Sequence, residues 1–295
     1  MTILLTGSEG FIGSALRKHI SSTSEEEMIT FDLIDYPTTP SKHFCGDLSE
    51  KNLSDLLSTF NIDCIVHIAA QTDVITSLEN PLLDAHSNIM ATLKLLDYAK
   101  SFAVKKFIYI NSGGAIYAPS LLPPYSENSL TNPVSPYGLS KLTGELYVKM
   151  ICEKYGIAWT SLALANVFGR PISPPKDFIS KIVHAAQNDE IIHVYGPENT
   201  RDYIFIADVV EAISKAISSP GLNQRVNIAT GVETSNIALF NHVIEAFNLN
   251  PRYEINPSRP GEVARSSLNT LRAMNVLGWS PNFSLERGLL EMRKN

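Results

Sequence analysis

Residues 2–16 read TILLTGSEGFIGSAL: an apolar run, a turn with glycines at 7, 10 and 13, and the opening of a helical pattern. The early glycines permit a tight turn and a close approach to the backbone. The last one lets the helix pack tightly against the strand it leaves. Such a turn can also be a mere strand–helix connection, so it does not assign a ligand by itself. The next apolar run, MITFD (28–32), places Asp32 at the end of a second strand.

A glycine turn that opens a helix aims backbone N–H groups and the positive end of the helix dipole at a pyrophosphate. A carboxylate at the end of the second strand suits the diol of an adenosine ribose. Gly7, Gly10, Gly13 and Asp32 together therefore predict a dinucleotide site. Because Asp32 would repel a 2′-phosphate, the expected cofactor is NAD rather than NADP.

Working outward, the apolar runs 63–70 (DCIVHIAA), 105–112 (KKFIYINS) and 159–168 (WTSLALANVF) continue the series. Helical patterns near 11–21, 50–60, 81–102 and 135–156 alternate with them. Continuous apolar strands between helices indicate a parallel sheet covered on both faces. Right-handed crossovers then give an α/β, doubly wound Rossmann fold. A sixth strand is expected at 225–230, after the helix that begins IADVVEAISKAI. The predicted division is a dinucleotide-binding domain over 1–168 plus about 204–230. A smaller substrate lobe takes 169–203 and 231–295.

The 295 residues are 44% hydrophobic and 18% charged, with a net charge of −6, an ordinary globular composition that argues against nucleic-acid and anionic-membrane partners. Cys45, Cys64 and Cys152 are widely spaced, fit no metal site, and read as reduced thiols of a cytoplasmic protein. No apolar run approaches membrane-spanning length, and MTILLTG carries no signal-peptide pattern.

The stretch SPYGLSK (135–141) sets Tyr137 and Lys141 four positions apart, on one face of a helix. In isolation this pair fits a solvated helix surface equally well. In one order with TGSEGFIG and HIAAQTDV, it resembles the extended short-chain dehydrogenase/reductases, and among them the NAD-dependent epimerase/dehydratase family that acts on nucleotide sugars. GDL (46–48), Asn88, Asn166 in LANVFG, RDYIFIADVVEAI (201–213) and RPGEV (259–263) extend the resemblance over essentially the whole chain.

That resemblance implies a role for each matching residue. Gly7, Gly10, Phe11, Ile12 and Gly13 would carry the cofactor's phosphates. Asp47 and Leu48 would meet the adenine, while Ala69, Ala70 and Gln71, supported by Asn88, would line the cofactor. Tyr137 would be the acid/base and Lys141 would hold the nicotinamide ribose. Asn166 would lie between cofactor and sugar, Arg201 and Arg259 would bind the diphosphate, and Glu262 a nucleotide ribose. A free phenol titrates near ~10, and the lysine and bound cofactor are expected to draw Tyr137 down.

Two departures from the family pattern stand out. The hydroxyl usually found four residues before Tyr117 is replaced by Gly113, so Ser112 is the expected substitute. Ala163 stands where relatives carry arginine. The loop GGAI also lacks the acids with which family dehydratases and decarboxylases work. The expected function is therefore a nucleotide-sugar epimerase, inverting C4 of a UDP-linked hexose. The alternatives are an NAD(P)H-dependent reductase of a nucleotide-linked 4-keto-6-deoxy sugar and, from another class, a non-catalytic dinucleotide sensor. A homodimer is expected through the helices near 81–102 and 135–156, because apolar residues line both faces of the second helix. Leu139, Leu142, Leu146 and Met150 form the outer stripe.

Overall fold

Strand residues that are apolar on both sides can only be satisfied in the middle of a covered sheet, and that is where they lie. The computed structural model describes residues 1–35, 42–51, 53–169, 177–259 and 263–294, with the side chains of 54 and 56 also left aside. In chain order the elements begin β1 (Thr2–Thr6), α1 (Phe11–Thr23), β2 (Glu27–Asp32), β3 (His43–Cys45), α2 (Leu53–Leu57) and β4 (Cys64–His67). They continue α3 (Val74–Glu79), α4 (Pro81–Ala85), a single π turn (His86–Met90) running directly into α5 (Ala91–Ser101), and β5 (Lys106–Ser112). Then come α6 (Gly113–Ile116), α7 (Pro136–Tyr155), β6 (Ala158–Leu164) and β7 (Asn166–Phe168). The remainder is α8 (Phe178–Gln187), β8 (Ile192–Tyr195), β9 (Thr200–Arg201), β10 (Tyr203–Phe205), α9 (Ile206–Ser218), β11 (Gln224–Ile228), β12 (Thr234–Ser235), α10 (Asn236–Phe247), β13 (Tyr253–Asn256), α11 (Leu271–Leu277) and α12 (Leu285–Lys294).

A 7-stranded sheet in the order β11-β6-β5-β4-β1-β2-β3, parallel throughout, forms the centre of the molecule. Its order reverses between β1 and β4, and in open α/β sheets a ligand crevice opens at such a point, beyond the carboxyl ends of the strands. One face is covered by α1 and α9 over Leu5, Val66, Ile108 and Val226. The other is covered by α2, α5 and α7 over Leu4, Ile65, Phe107 and Trp159. A third apolar cluster, built on Ile182, Val194, Phe240 and Leu289, is the core of the smaller lobe.

Three features differ from the sequence reading. The run 159–168 is two strands: β6 stays in the main sheet, while β7 leaves it to pair in parallel with β10. The break falls at Ala165, whose amide donates to Ile228 while the next amide, of Asn166, donates to Asp202. The seventh strand, β3, is a short edge strand of partly exposed residues with no apolar run to announce it. Finally, part of the 231–295 range packs into the first domain. Leu268, Ala273 and Trp279 are buried in the same core as Leu162 and Val226, and α11 packs on β11 and α9.

Asp202 stitches these parts together. Its buried carboxylate accepts from the Thr230 amide (2.9 Å), the Thr230 hydroxyl (2.7 Å), the Gly231 amide (2.8 Å) and the Leu268 amide (3.3 Å). Among the described residues, no helix is long and apolar enough to cross a membrane, and no three metal-ligating side chains converge.

Candidate active site

The glycine turn is shaped by contacts that a side chain would abolish. Gly7 has φ of +71°, and a Cβ there would lie 2.6 Å from the amide nitrogen of Ala69. At Gly13 a Cβ would come within 1.9 Å of the Gly7 carbonyl oxygen. The turn is docked on β2 by the Gly7 amide, which donates to Phe31 at 2.8 Å. The Asp32 carboxylate accepts the Glu9 amide at 2.9 Å and the Ile34 amide at 3.2 Å. A backbone cradle closed by glycines, with a carboxylate at its rim, fits the pyrophosphate and ribose of a dinucleotide. Phe11 and Ile12 follow in the first turn of α1, where Ile12 packs on the core and the Phe11 ring reaches Gly169.

The opposite wall comes from the segment after β4, where the Ala69 amide meets the Thr6 hydroxyl at 3.4 Å. Ala70 leads to Gln71, which Asn88 grips at both backbone groups. The Asn88 carbonyl accepts the Gln71 amide at 2.8 Å, and its Nδ2 donates to the Gln71 carbonyl at 3.0 Å. The same Nδ2 reaches Asp84 and the Ser140 hydroxyl, so the π turn ties this wall to α7. Toward the adenine end the expected residues differ in placement. Asp47 closes its own turn by accepting from Ser49 (2.8 Å), and the Leu48 side chain is buried in the core rather than turned to the cradle.

Helix α7 starts where the sequence signals it. Ser135 caps the Gly138 amide at 3.1 Å, and Pro136 occupies the first turn. This delivers Tyr137 to the end of β5, where the Ser112 side chain lies beside its phenol. Ser112 and Tyr137 thus meet, with Lys141 one turn further along α7. Lys141 is buried, its ammonium 4.3 Å from the centroid of the Tyr109 ring, while the Tyr109 hydroxyl donates to the Lys141 carbonyl at 3.3 Å. Burial holds the Lys141 ammonium down to about 7, against the opposing pull of the Asp84 and Glu145 carboxylates.

Burial dominates the phenol. Burial raises Tyr137 above its ordinary value, the Ser112 hydrogen bond pulls it down, and Asp84 pushes it up again.

The double glycine has a physical reason in this chain. A Cβ on Gly113 would lie 2.4 Å from Leu268 Cδ1, so the leucine occupies the space a residue 113 side chain would need. The neighbouring Gly114 backbone faces the Asn166 amide group, with a built Cβ 3.4 Å from its Oδ1. Around Ala163 a guanidinium does reach the layer, from the next strand. Arg225 pairs with the buried Glu145 of α7, which also accepts from Asn111 (2.7 Å) and Ser161 (2.5 Å). Glu145 was missed in the sequence; it lies four residues past Lys141, and that helical spacing is the signal that could have found it. Tyr109 and Leu268 carried no comparable signal.

Beyond Asn166 a cleft of about 640 Å³ opens between the sheet and the lobe, lined by Arg201, Arg259, Tyr195, Tyr203 and Asn236. Arg259 stacks on Tyr195, 4.0 Å from the ring centroid, and Arg201 Nη1 donates to the Thr200 carbonyl at 2.8 Å. The cleft therefore gathers Asn166, Arg201 and Arg259, whereas Glu262 lies outside the described residues.

The chain matches the family described as NAD dependent epimerase/dehydratase over residues 3–229. A UDP-glucose 4-epimerase of Mycolicibacterium smegmatis is 32% identical, over 98% of this chain and 96% of its own length. Among solved structures, the UDP-glucose 4-epimerase of Thermotoga maritima, crystallised with UDP-glucose, superposes with a TM-score of 0.93 at 31% identity, covering 100% of this chain and 98% of that one. The Thermus thermophilus UDP-glucose 4-epimerase, solved with NAD, gives 0.92 at 29% identity, with the same coverage.

Proposed function

This chain belongs to the NAD dependent epimerase/dehydratase family, and from that premise we propose that it is an NAD-dependent nucleotide-sugar epimerase inverting C4 of a UDP-hexose. The observation that carries the reading is Ser112 beside the Tyr137 phenol, with Lys141 one turn further along the same helix, in a chain whose cleft beyond Asn166 gathers Arg201 and Arg259. Bound NAD supplies a reversible acceptor for the sugar's hydride. Tyr137 takes the proton of the sugar hydroxyl and returns it, with Ser112 holding the same oxygen by a hydrogen bond. Lys141 orients the nicotinamide ribose and stabilises the phenolate. Arg201 and Arg259 clamp the diphosphate with charge-assisted hydrogen bonds, and Asn166 sits where cofactor and sugar meet. Anchorage at the diphosphate leaves the sugar able to present each of its faces to the same cofactor.

The reading includes a cytoplasmic homodimer. Leu146 and Met150 on α7 and Met90 beside α5 are exposed, and a groove of about 600 Å³ between these helices is lined by Met90, Leu93, Met150 and Ile151. Apolar ridges flanking a groove on paired helices suit a second copy of the chain.

The test is a panel of UDP- and dTDP-linked sugars incubated with the purified protein. The expected outcome is interconversion of a UDP-hexose and its C4 epimer without net NADH consumption. Tyr137→Phe should lower turnover by ~10²–10⁴ while NAD binding persists. Stoichiometric NADH consumption with a 4-keto sugar and no epimerisation would assign the reductase instead.

A further inference from the structure

The first turn of the cofactor cradle contains a charged pair that the proposed chemistry does not use. Glu9 lies between Gly7 and Gly10, and its amide donates to the Asp32 carboxylate at 2.9 Å. The Glu9 side chain is only 5% exposed and accepts from Arg17 Nη2 at 3.0 Å and from the Ser8 hydroxyl at 3.2 Å. Arg17 stands one turn beyond Gly13 on α1 and leans back toward the turn, as helical side chains do. Its Nε is buried and has no hydrogen-bond partner among the described residues. Glu9 thus links Arg17, a guanidinium with an unused donor, to the carboxylate that would meet the adenosine ribose.

We propose that Glu9 is a second specificity-determining residue for the cofactor, a latch that withholds Arg17 from a 2′-phosphate. This rests on the NAD-binding reading of the cradle. A guanidinium is the side chain best suited to bidentate recognition of a phosphate. With Glu9 present, its carboxylate pairs with the Arg17 guanidinium, and Asp32 adds a second negative charge at the rim of the cradle. Without it, Arg17 faces the ribose with a single carboxylate beside it, and a 2′-phosphate meets a cation. Asp32 supplies the general preference for an unphosphorylated ribose, and Glu9 prevents the neighbouring arginine from undoing it.

Calorimetric titration of NAD and NADP into the purified protein and its variants tests this. The wild type should favour NAD. Glu9→Ser should raise NADP affinity relative to NAD by ~10-fold, the scale of one partly screened charge, and less at high salt. Glu9→Gln keeps the size and hydrogen-bonding capacity of the side chain, so it should shift the ratio in the same direction even if the serine variant folds poorly. In Glu9→Ser/Arg17→Met the gain should vanish. An unchanged ratio in the glutamine variant, or a gain that survives loss of Arg17, would overturn the latch while leaving the NAD reading intact. A wild type that prefers NADP would overturn both.

Discussion

Tyr109 holds Lys141 at two points: its ring lies under the ammonium at 4.3 Å and its hydroxyl donates to the lysine's own carbonyl at 3.3 Å. A desolvated cation over an aromatic face gains up to ~2 kcal/mol, and the ring is the part that supplies it. Tyr109→Phe should therefore keep NAD affinity and turnover near wild type. Tyr109→Leu should weaken NAD binding by ~10-fold and lower turnover, measured by calorimetry and initial rates. Equal losses in both variants would show that the hydroxyl, not the ring, does the holding.

Lys141 also sets a pH dependence of stability. Its folded value of about 7 lies below the ordinary 10.5. Between those limits the unfolded chain keeps a proton that the folded chain has released, so stability rises as pH rises from about 7 toward 10.5. Below that window the buried cation's cost is present in full. Lys141→Met should thus stabilise the cofactor-free protein by ~1–4 kcal/mol near neutrality, with the difference shrinking toward pH 10. Urea unfolding at several pH values reads this directly, and a variant less stable than wild type at pH 6.5 would contradict it.

Gly113 and Leu268 share one volume. Gly113→Ser, which restores the hydroxyl position usual in the family, should destabilise the fold by ~1–3 kcal/mol by overpacking against the leucine. Adding Leu268→Ala should recover part of that loss, whereas Leu268→Ala alone should be destabilising. Denaturant unfolding of the four proteins gives the coupling, and strict additivity would show that the two sites are independent.

The dimer is open to a surface test. Leu146 and Met150 are each 57% exposed on α7, so a charge there does not disturb the core of one chain. Leu146→Glu with Met150→Glu should convert a dimer to a monomer by light scattering at micromolar concentration. The secondary structure should be unchanged by circular dichroism.

Much of this architecture was legible because strands buried on both faces leave continuous apolar runs, as in β1, β4 and β5, and because the glycine turn leaves a spaced signature. The break at Ala165 left none, since Leu164 and Phe168 are buried on either side of it and strand pairing, not polarity, changes there. Edge strand β3 lacked a run because its residues are partly exposed. In the site, helical spacing puts Tyr137 and Lys141 on one face, and the family resemblance singles the pair out. Tyr109 reads as one more apolar strand residue, and only the fold puts its ring beneath the ammonium. The burial of the Tyr137 phenol also escaped the sequence, since desolvation is a property of the packed site rather than of neighbouring residues.

The clasp at Asp202 bears on how such a chain can be inherited. The family match described above ends at residue 229, yet Leu268, Ala273 and Trp279 complete the core that those earlier residues begin. A recombination that exchanged everything after that point would import a foreign plug into a cavity shaped for these side chains. It would also leave a buried carboxylate without its partner from the Leu268 amide. The returning strap must travel with the domain it closes.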